Sequence, residues 1–561
     1  MQLAKLLILR LFWAKLPAAM STENSTSNSP HDGSAKAADV TTGSGLVQKT
    51  SVVGGMTLIS RILGLLRDVV FARYFGANLL MDAFLVANRI PNMLRRFFAE
   101  GAFSAGFVPV MARYRENHGH EDAREFIDSI SGTFGVILFV VTLVGVIAAP
   151  ILVLIVAPGF VGDGGDLDLA ALMLRFTFPY LFFVSLTAFA GGILNTYGKF
   201  GVPAFTPVIL NVVLIAAAIW LSPRLDQPIM ALAYAVFIAG FCQLLFQLPF
   251  LARIRALPRP KWAPHHAGVK RSFKLMVPAI FGSSAAQINV LLGGIIASLL
   301  PVGSISYLYF SDRLMEFPLG IFGIALGTVT LPYLSRLWAN EDKKTFSQTL
   351  DWSLKLALLI SVPAAIGLFV LAEPLVVTLF FGGLFDEHAV RMTALSLRAY
   401  AVGLVGFSLV KILAPAYFAR EDTKTPVRIA LVALLVNLIL SVSLAWYLSS
   451  SGFAGPHAGL AAATSFAAVV NALLLYRGLR KEQILRHSSG WLLLLGRCAA
   501  ACMAMYLVLF QLLRPLEWWV AAPFSARVVW LAAMVCAGVA AYFLALLLLG
   551  TRFSQFRLRA N

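Results

Sequence analysis

Apolar runs of about 20–30 residues recur along nearly the whole of this chain, and no other feature limits its folding so strongly. At ~1.5 Å per residue, a helix of that length crosses a hydrocarbon core of ~30 Å. Lipid offers the backbone no hydrogen bonds, so a spanning segment must satisfy its own N–H and C=O groups, as a helix does. Spans are expected at 47–75, 79–111, 127–157, 167–194, 203–221, 229–252, 273–300, 306–336, 351–381, 389–418, 427–448, 457–476, 489–513 and 526–550. Charged residues make up only 13% of the chain. Globular domains carry about 25%, and the missing charge is missing aqueous surface. The expected fold is an all-α integral membrane protein of about fourteen transmembrane helices.

Loop charges alternate. Lys and Arg collect in 111–126, 195–202, 252–272, 337–350, 419–426, 477–488 and the tail after 550. The intervening loops hold only Arg224 and Arg514, and loop 158–168 carries Asp163 and Asp166. Positive loops stay in the cytoplasm, so both termini are expected there, in a bacterial inner membrane. The same bias accounts for the net charge of +18. No recognition motif accompanies it, so nucleic acid is not expected as a partner. Residues 1–45 are expected to form a disordered cytoplasmic extension, rich in Ser, Thr, Asn, Gly and Ala. A cleaved signal ending near Pro17-Ala18-Ala19 would put residue 46 outside, against the loop charges.

The chain nearly repeats at a shift of 223 residues: Pro109 maps to Pro332, Arg113 to Arg336, Arg175 to Arg398 and Pro203 to Pro426. The loop charges repeat at the same shift. Six helices fit within it, an even number, so the copies share one orientation and form a parallel repeat. The expected organisation is an N-lobe over 46–260, a C-lobe over 261–482, and two extra helices with a cytoplasmic tail over 483–561. Two such lobes enclose a cleft near the midplane, where rocking gives alternating access.

Charges lie inside the spans. The first holds Arg61, Arg67, Asp68 and Arg73; the second Asp82, Arg89, Arg95, Arg96 and Glu100; the eighth Asp312, Arg313 and Glu316. Each costs about 2.5–3.5 kcal/mol at a helix centre, so each should face a wet cavity or a partner. In the first lobe arginine outnumbers carboxylate. A cleft with surplus arginine suits an anion, and phosphate matches the planar guanidinium fork. Arg61, Arg67, Arg95 and Arg96 are the favoured functional cations. Blander roles are open to others: Arg73 and Arg89 can snorkel, Asp312 and Glu316 can simply neutralise Arg313, and Lys355 and Lys411 can snorkel or line the second lobe.

No P-loop, His-Glu-x-x-His or Gly-x-Ser-x-Gly sequence is present, so no enzyme activity and no cofactor is expected. Cys242, Cys498, Cys502 and Cys536 lie in apolar runs and read as core or lipid-facing residues. His265-His266 reads as a solvated pair, and Gly191-Gly192 and Gly293-Gly294 as close helix contacts. No metal site can be placed.

Several strings resemble one family. They are Ser60-Arg61-Ile62-Leu63-Gly64-Leu65-Leu66-Arg67-Asp68, Asp82-Ala83-Phe84, Pro91-Asn92 with Arg95-Arg96, and Phe98-Ala99-Glu100-Gly101-Ala102-Phe103. Asp312-Arg313-Leu314-Met315-Glu316-Phe317-Pro318 and Asp422-Thr423-Lys424-Thr425-Pro426 complete them. From about residue 46 onward the chain resembles the MurJ/MviN lipid II flippases, of the multidrug/oligosaccharidyl-lipid/polysaccharide exporter superfamily. The extension before residue 46 departs from that pattern. The resemblance implies two six-helix lobes around a cationic cavity, with the last two helices forming a groove for a lipid tail. It implies flipping of lipid II, the undecaprenyl-pyrophosphate-linked disaccharide-pentapeptide precursor of peptidoglycan, toward the periplasm. It assigns substrate binding to Arg61, Arg67 and Arg313, function to Asp82 and Arg95, and gating to Asp312 and Glu316. Membrane potential, with Na+ or H+ as a coupling ion, is the implied driving force. Membrane lipids and peptidoglycan-synthesis proteins are the implied partners.

Two other readings compete. An exporter of drugs or of another lipid-linked oligosaccharide would carry a less cationic first helix and ion-binding carboxylates in the cleft. A membrane enzyme acting on polyprenyl phosphates would need a carboxylate cluster and a sizeable periplasmic loop.

Overall fold

The computed structural model describes residues 43–97, 102–117, 119–162 and 166–551. The extension before residue 43, Glu100, Asp163 and the tail after 551 lie outside the described residues. The helices are α1 (Gly43–Phe75), α2 (Leu79–Arg95), α3 (Ala102–Asn117), α4 (Gly119–Ile147), α5 (Ala149–Val156), α6 (Leu167–Thr177) and α7 (Tyr180–Thr196). They continue with α8 (Gly201–Ala216), α9 (Met230–Arg253), α10 (Ala267–Ser298), α11 (Ser304–Ala339), α12 (Lys343–Val370) and α13 (Ala372–Phe380). The last are α14 (Glu387–Phe418), α15 (Lys424–Ser450), α16 (His457–Lys481), α17 (Trp491–Leu512), α18 (Leu516–Ala521) and α19 (Phe524–Leu548).

Among the described residues, every expected span falls on helix. Among the described residues ten helical segments are long and apolar enough to cross a membrane. The other four expected spans coincide with α1, with α2 and α3, with α10, and with α11. Three of these four carry the intramembrane charges. Apolar length therefore establishes a multi-pass membrane protein without fixing the number at fourteen.

The helix ends follow the repeat. Shifted by 223 residues, the end of α1 at Phe75 lands on Ser298, where α10 ends. The end of α4 at Ile147 lands on Val370, where α12 ends. A short helix follows each, with Pro150 in the first turn of α5 and Pro374 in that of α13. Proline has no N–H to donate, so it suits a first helical turn and ends a preceding helix.

Without a hydrophobic drive between helices, lipid-embedded packing relies on close approach and interhelical hydrogen bonds. Between α14 and α16, Gly403 and Gly406 allow the close approach and Ser465 supplies the hydrogen bond. A Cβ on Gly406 would sit 2.7 Å from the Val469 nitrogen, and Ser465 Oγ donates to Ala399 O at 2.7 Å. The terminal pair α17 and α19 is tied to α12 at two heights. Tyr542 Oη donates to Leu359 O at 2.7 Å. Asp351 accepts from Trp491 Nε1 at 2.7 Å and Ser488 Oγ at 2.6 Å, with Lys355 Nζ at 3.2 Å. Lys355 thus serves this junction instead of lining the second lobe. Arg175 and Arg398 match in sequence but differ in surroundings: Arg398 pairs with Glu373 at 2.9 Å, and Arg175 is exposed.

Candidate functional site: a cationic cavity

Asp68 is 1% exposed, about two turns before the end of α1. A carboxylate there needs partners, and it has three. Arg67 donates to Oδ1 from Nε at 2.9 Å and from Nη2 at 2.7 Å. Tyr309 Oη, on α11, donates to Oδ1 at 2.7 Å. Arg313, one turn further along α11, brings Nε to 3.0 Å from Oδ2. The shell extends outward. Arg67 Nη1 donates to Asn211 Oδ1 at 3.1 Å, and Asn211 on α8 donates to Ser60 O at 3.1 Å. Arg313 Nη1 donates to Glu316 Oε2 at 3.1 Å, and its guanidinium lies 5.6 Å from the Tyr309 ring centre.

A cavity of about 640 Å³ opens beside this cluster. That lies within the roughly 300–1,000 Å³ of small-molecule sites. Arg67, Arg95, Arg96 and Arg313 line it, with Asn88, Asn92, Gln243, Gln247 and Tyr309 as polar groups. Among the described residues no carboxylate lines it. Arg95 Nε donates to Asn92 Oδ1 at 2.9 Å, which holds that guanidinium along α2. Four arginines facing one water-accessible space raise the local potential, and low-dielectric walls focus it. Such a wall is suited to multiply charged anions bearing oxygens. Phosphate and pyrophosphate accept paired bonds from the guanidinium fork.

The expected site residues divide. Arg67, Arg95, Arg96 and Arg313 come together. Arg61 does not line this cavity: its guanidinium packs on Gly320 of α11, within electrostatic reach of Lys411. Glu316 stands at the edge, paired with Arg313. Asp312 is half-buried, with Glu316, Arg313 and Arg96 as electrostatic neighbours. Asp82 lies elsewhere. It is 3% exposed and accepts from the Gly303 and Ser306 N–H groups at 2.7 and 2.8 Å, and from Ser306 Oγ at 2.5 Å. These are the first donors of α11, where a helix is electropositive, so Asp82 caps α11 from α2.

Sequence reasoning missed Asp68 as a hub, together with Asn211 and Tyr309. Its position beside Arg67 and seven residues from Arg61 was visible; its pairing with Arg313 depends on another helix. Arg89 is no snorkelling end residue. Its Nη1 is buried against Gly294 without a hydrogen-bond partner among the described residues. His266 is half-buried, its Nδ1 accepting from Gly268 N at 3.2 Å as an N-cap of α10. Among the described residues no group of three or more His, Cys, Asp or Glu gathers as metal ligands.

The family model described as lipid II flippase MurJ matches residues 71–552. A probable lipid II flippase MurJ of Vibrio cholerae is 44% identical, over 92% of this chain and 99% of its own length. The lipid II flippase MurJ of Burkholderia cenocepacia is 42% identical, over 91% and 98%. A solved structure of a lipid II flippase MurJ in an inward closed conformation matches with a TM-score of 0.72 and 27% identity, over 88% of this chain and 97% of that one. An inward-facing multidrug transporter of the MATE family shares the fold, with a TM-score of 0.63 at 13% identity. The family match runs through both halves of the chain and takes in Arg95, Arg96 and Arg313 of the cavity wall, and the relatives align over nearly their whole length, so this chain belongs to the MurJ lipid II flippase family.

Proposed function

We propose that this protein flips lipid II from the cytoplasmic to the periplasmic leaflet by alternating access. The observation that carries this reading is the cavity wall of four arginines, two of them held in place by Asp68. The pyrophosphate is doubly charged and costly to take through hydrocarbon unpaired. Arg67 and Arg313 would take it, exchanging bonds to Asp68 and Glu316 for bonds to phosphate oxygens. The polyprenyl tail would stay in lipid, beside α17 and α19. No covalent bond changes, so the work is desolvation and movement.

In this reading residues 46–260 and 261–482 are the rocking lobes, and 483–561 is the tail-binding appendage. The basic loops and both termini face the cytoplasm. Arg61 meets the substrate from the Lys411 side. Asp82 holds the periplasmic ends of α2 and α11 together while the site faces inward. Glu316, now on Arg313, exchanges to Arg95 or Arg96 as the lobes move, with Asp312 beside it. Membrane potential favours the reset of the cationic site toward the cytoplasm. A drug exporter would have less use for this concentration of arginine.

Binding of lipid II to purified protein tests the site. Wild type should bind, and Arg67→Ala or Arg313→Ala should weaken binding at least tenfold, since each removes charge-assisted bonds worth about 1.5–3 kcal/mol. Equal binding by all three proteins would exclude the cavity as the lipid II site.

A further inference from the structure

At the far end of α1 from the basic loops, a second pair of arginines stands outside the cavity. Arg73 is half-buried, and its Nε is enclosed without a hydrogen-bond partner among the described residues. Its guanidinium lies 5.2 Å from the ring centre of Phe524, at the start of α19. One turn along α19, Arg527 is buried and lies within electrostatic reach of Arg73. Arg527 donates from Nε to Ala522 O and from Nη2 to Val520 O, both at 2.8 Å, and rests on Phe381 at 4.9 Å. Arg73 has no carboxylate partner among the described residues. Two adjacent, poorly hydrated cations repel each other, and one exposed cation–π contact returns only about 0.5–1 kcal/mol.

The pair is held rigidly. Leu384 N donates to Arg73 O at 3.0 Å, and Gly383 packs on that same carbonyl with φ +61°. No side chain fits there, so the 381–385 hairpin fixes the backbone from which Arg73 projects. Depth identifies the ligand. Phe524 is 56% exposed, Val528 and Val529 below it face outward, and Trp518 and Trp530 sit at the same end of the terminal helices. Aromatic belts of this kind mark the headgroup level of a bilayer.

We propose that Arg73 and Arg527 form a site for the phosphate of an anionic glycerophospholipid in the leaflet opposite the basic loops. The phosphate relieves the repulsion between the two guanidinium groups. Its acyl chains lie along the exposed apolar face of α19. The site joins α1, the 381–385 hairpin and α19, so an occupied site braces the terminal helices against the first.

The test uses the full chain in nanodiscs of phosphatidylcholine with a minor fraction of phosphatidylglycerol, followed by extraction and native mass spectrometry. Wild type should retain phosphatidylglycerol, and Arg73→Gln should retain about tenfold less. Arg73 Nε bonds to none of the described residues and its charge repels that of Arg527, so this substitution should not lower thermal stability in pure phosphatidylcholine. Arg224→Gln, an exposed arginine on the same membrane face, should retain as much as wild type. Equal retention by Arg73→Gln and wild type would overturn the proposal. So would an equal loss in Arg224→Gln, which would indicate general surface charge. Displacement of the lipid by millimolar inorganic phosphate would also overturn it, since the site would then be one for free phosphate.

Discussion

Asp68 holds two arginines with one carboxylate, and the balance among them decides what each substitution does. Removing one partner of a buried ion pair leaves an uncompensated charge and costs about 3–5 kcal/mol. Asp68→Ala should therefore destabilise the protein by that order, read as a lowered unfolding temperature in detergent. Combining it with Arg313→Gln should recover part of the loss, because one stranded cation is gone. A simple sum of the two effects would show that Asp68 and Arg313 act independently. Lysine cannot reproduce the guanidinium fork. Arg67→Lys should keep the protein folded yet weaken lipid II binding about tenfold, measured on purified protein. The arginines were legible in the sequence because an uncompensated cation inside an apolar run has few inexpensive uses. Asp68 was visible but unassigned, since its role depends on where α11 places Tyr309 and Arg313. Arg61 was legible as a cation, but its contact with Gly320 instead of the cavity wall was not, because a helix face does not name its neighbour.

At the scale of elements, Asp82 caps α11 from α2, a contact between helices that belong to different copies of the repeat. Caps of this kind contribute about 0.5–2 kcal/mol. Asp82→Ala should loosen that end of the molecule, seen as faster amide hydrogen exchange over residues 303–310 with little change in α14 and α16. Unaltered exchange would mean that α11 is held by packing alone. The helices themselves were legible from apolar length. The number of spans was not fixed that way, since α1, α2 and α11 trade apolar length for the charges that make the site. The ends of α4 at Ile147 and of α12 at Val370 were not read either: the expected spans 127–157 and 351–381 run through Pro150 and Pro374, which open the short helices α5 and α13. The anchoring of α17 by Asp351 was not readable, because a carboxylate at the start of an expected span gives no sign of which loop returns to it.

For the whole molecule, the repeat and the cap imply that flipping separates α2 from α11 at one end. A disulfide between Asp82→Cys and Ser306→Cys, in a protein with its four native cysteines replaced, should form readily in the present arrangement and stop flipping until reduced. A crosslinked protein that still flips would rule out opening at this seam. Arg95→Cys with Glu316→Cys reports the opposite movement: crosslinking should depend on conformation, and a state-independent yield would remove Glu316 from the gate. Flipping through the arginine cavity is read at its source in cells depleted of this protein, where outward exposure of lipid II is scored by a periplasmic enzyme that cleaves only outward-facing lipid II. Cleavage should fall on depletion and return with wild type but not with Arg67→Ala or Arg313→Ala expressed at equal levels. Unchanged cleavage on depletion in a cell with no second flippase, or full rescue by both variants, would contradict transport through this cavity.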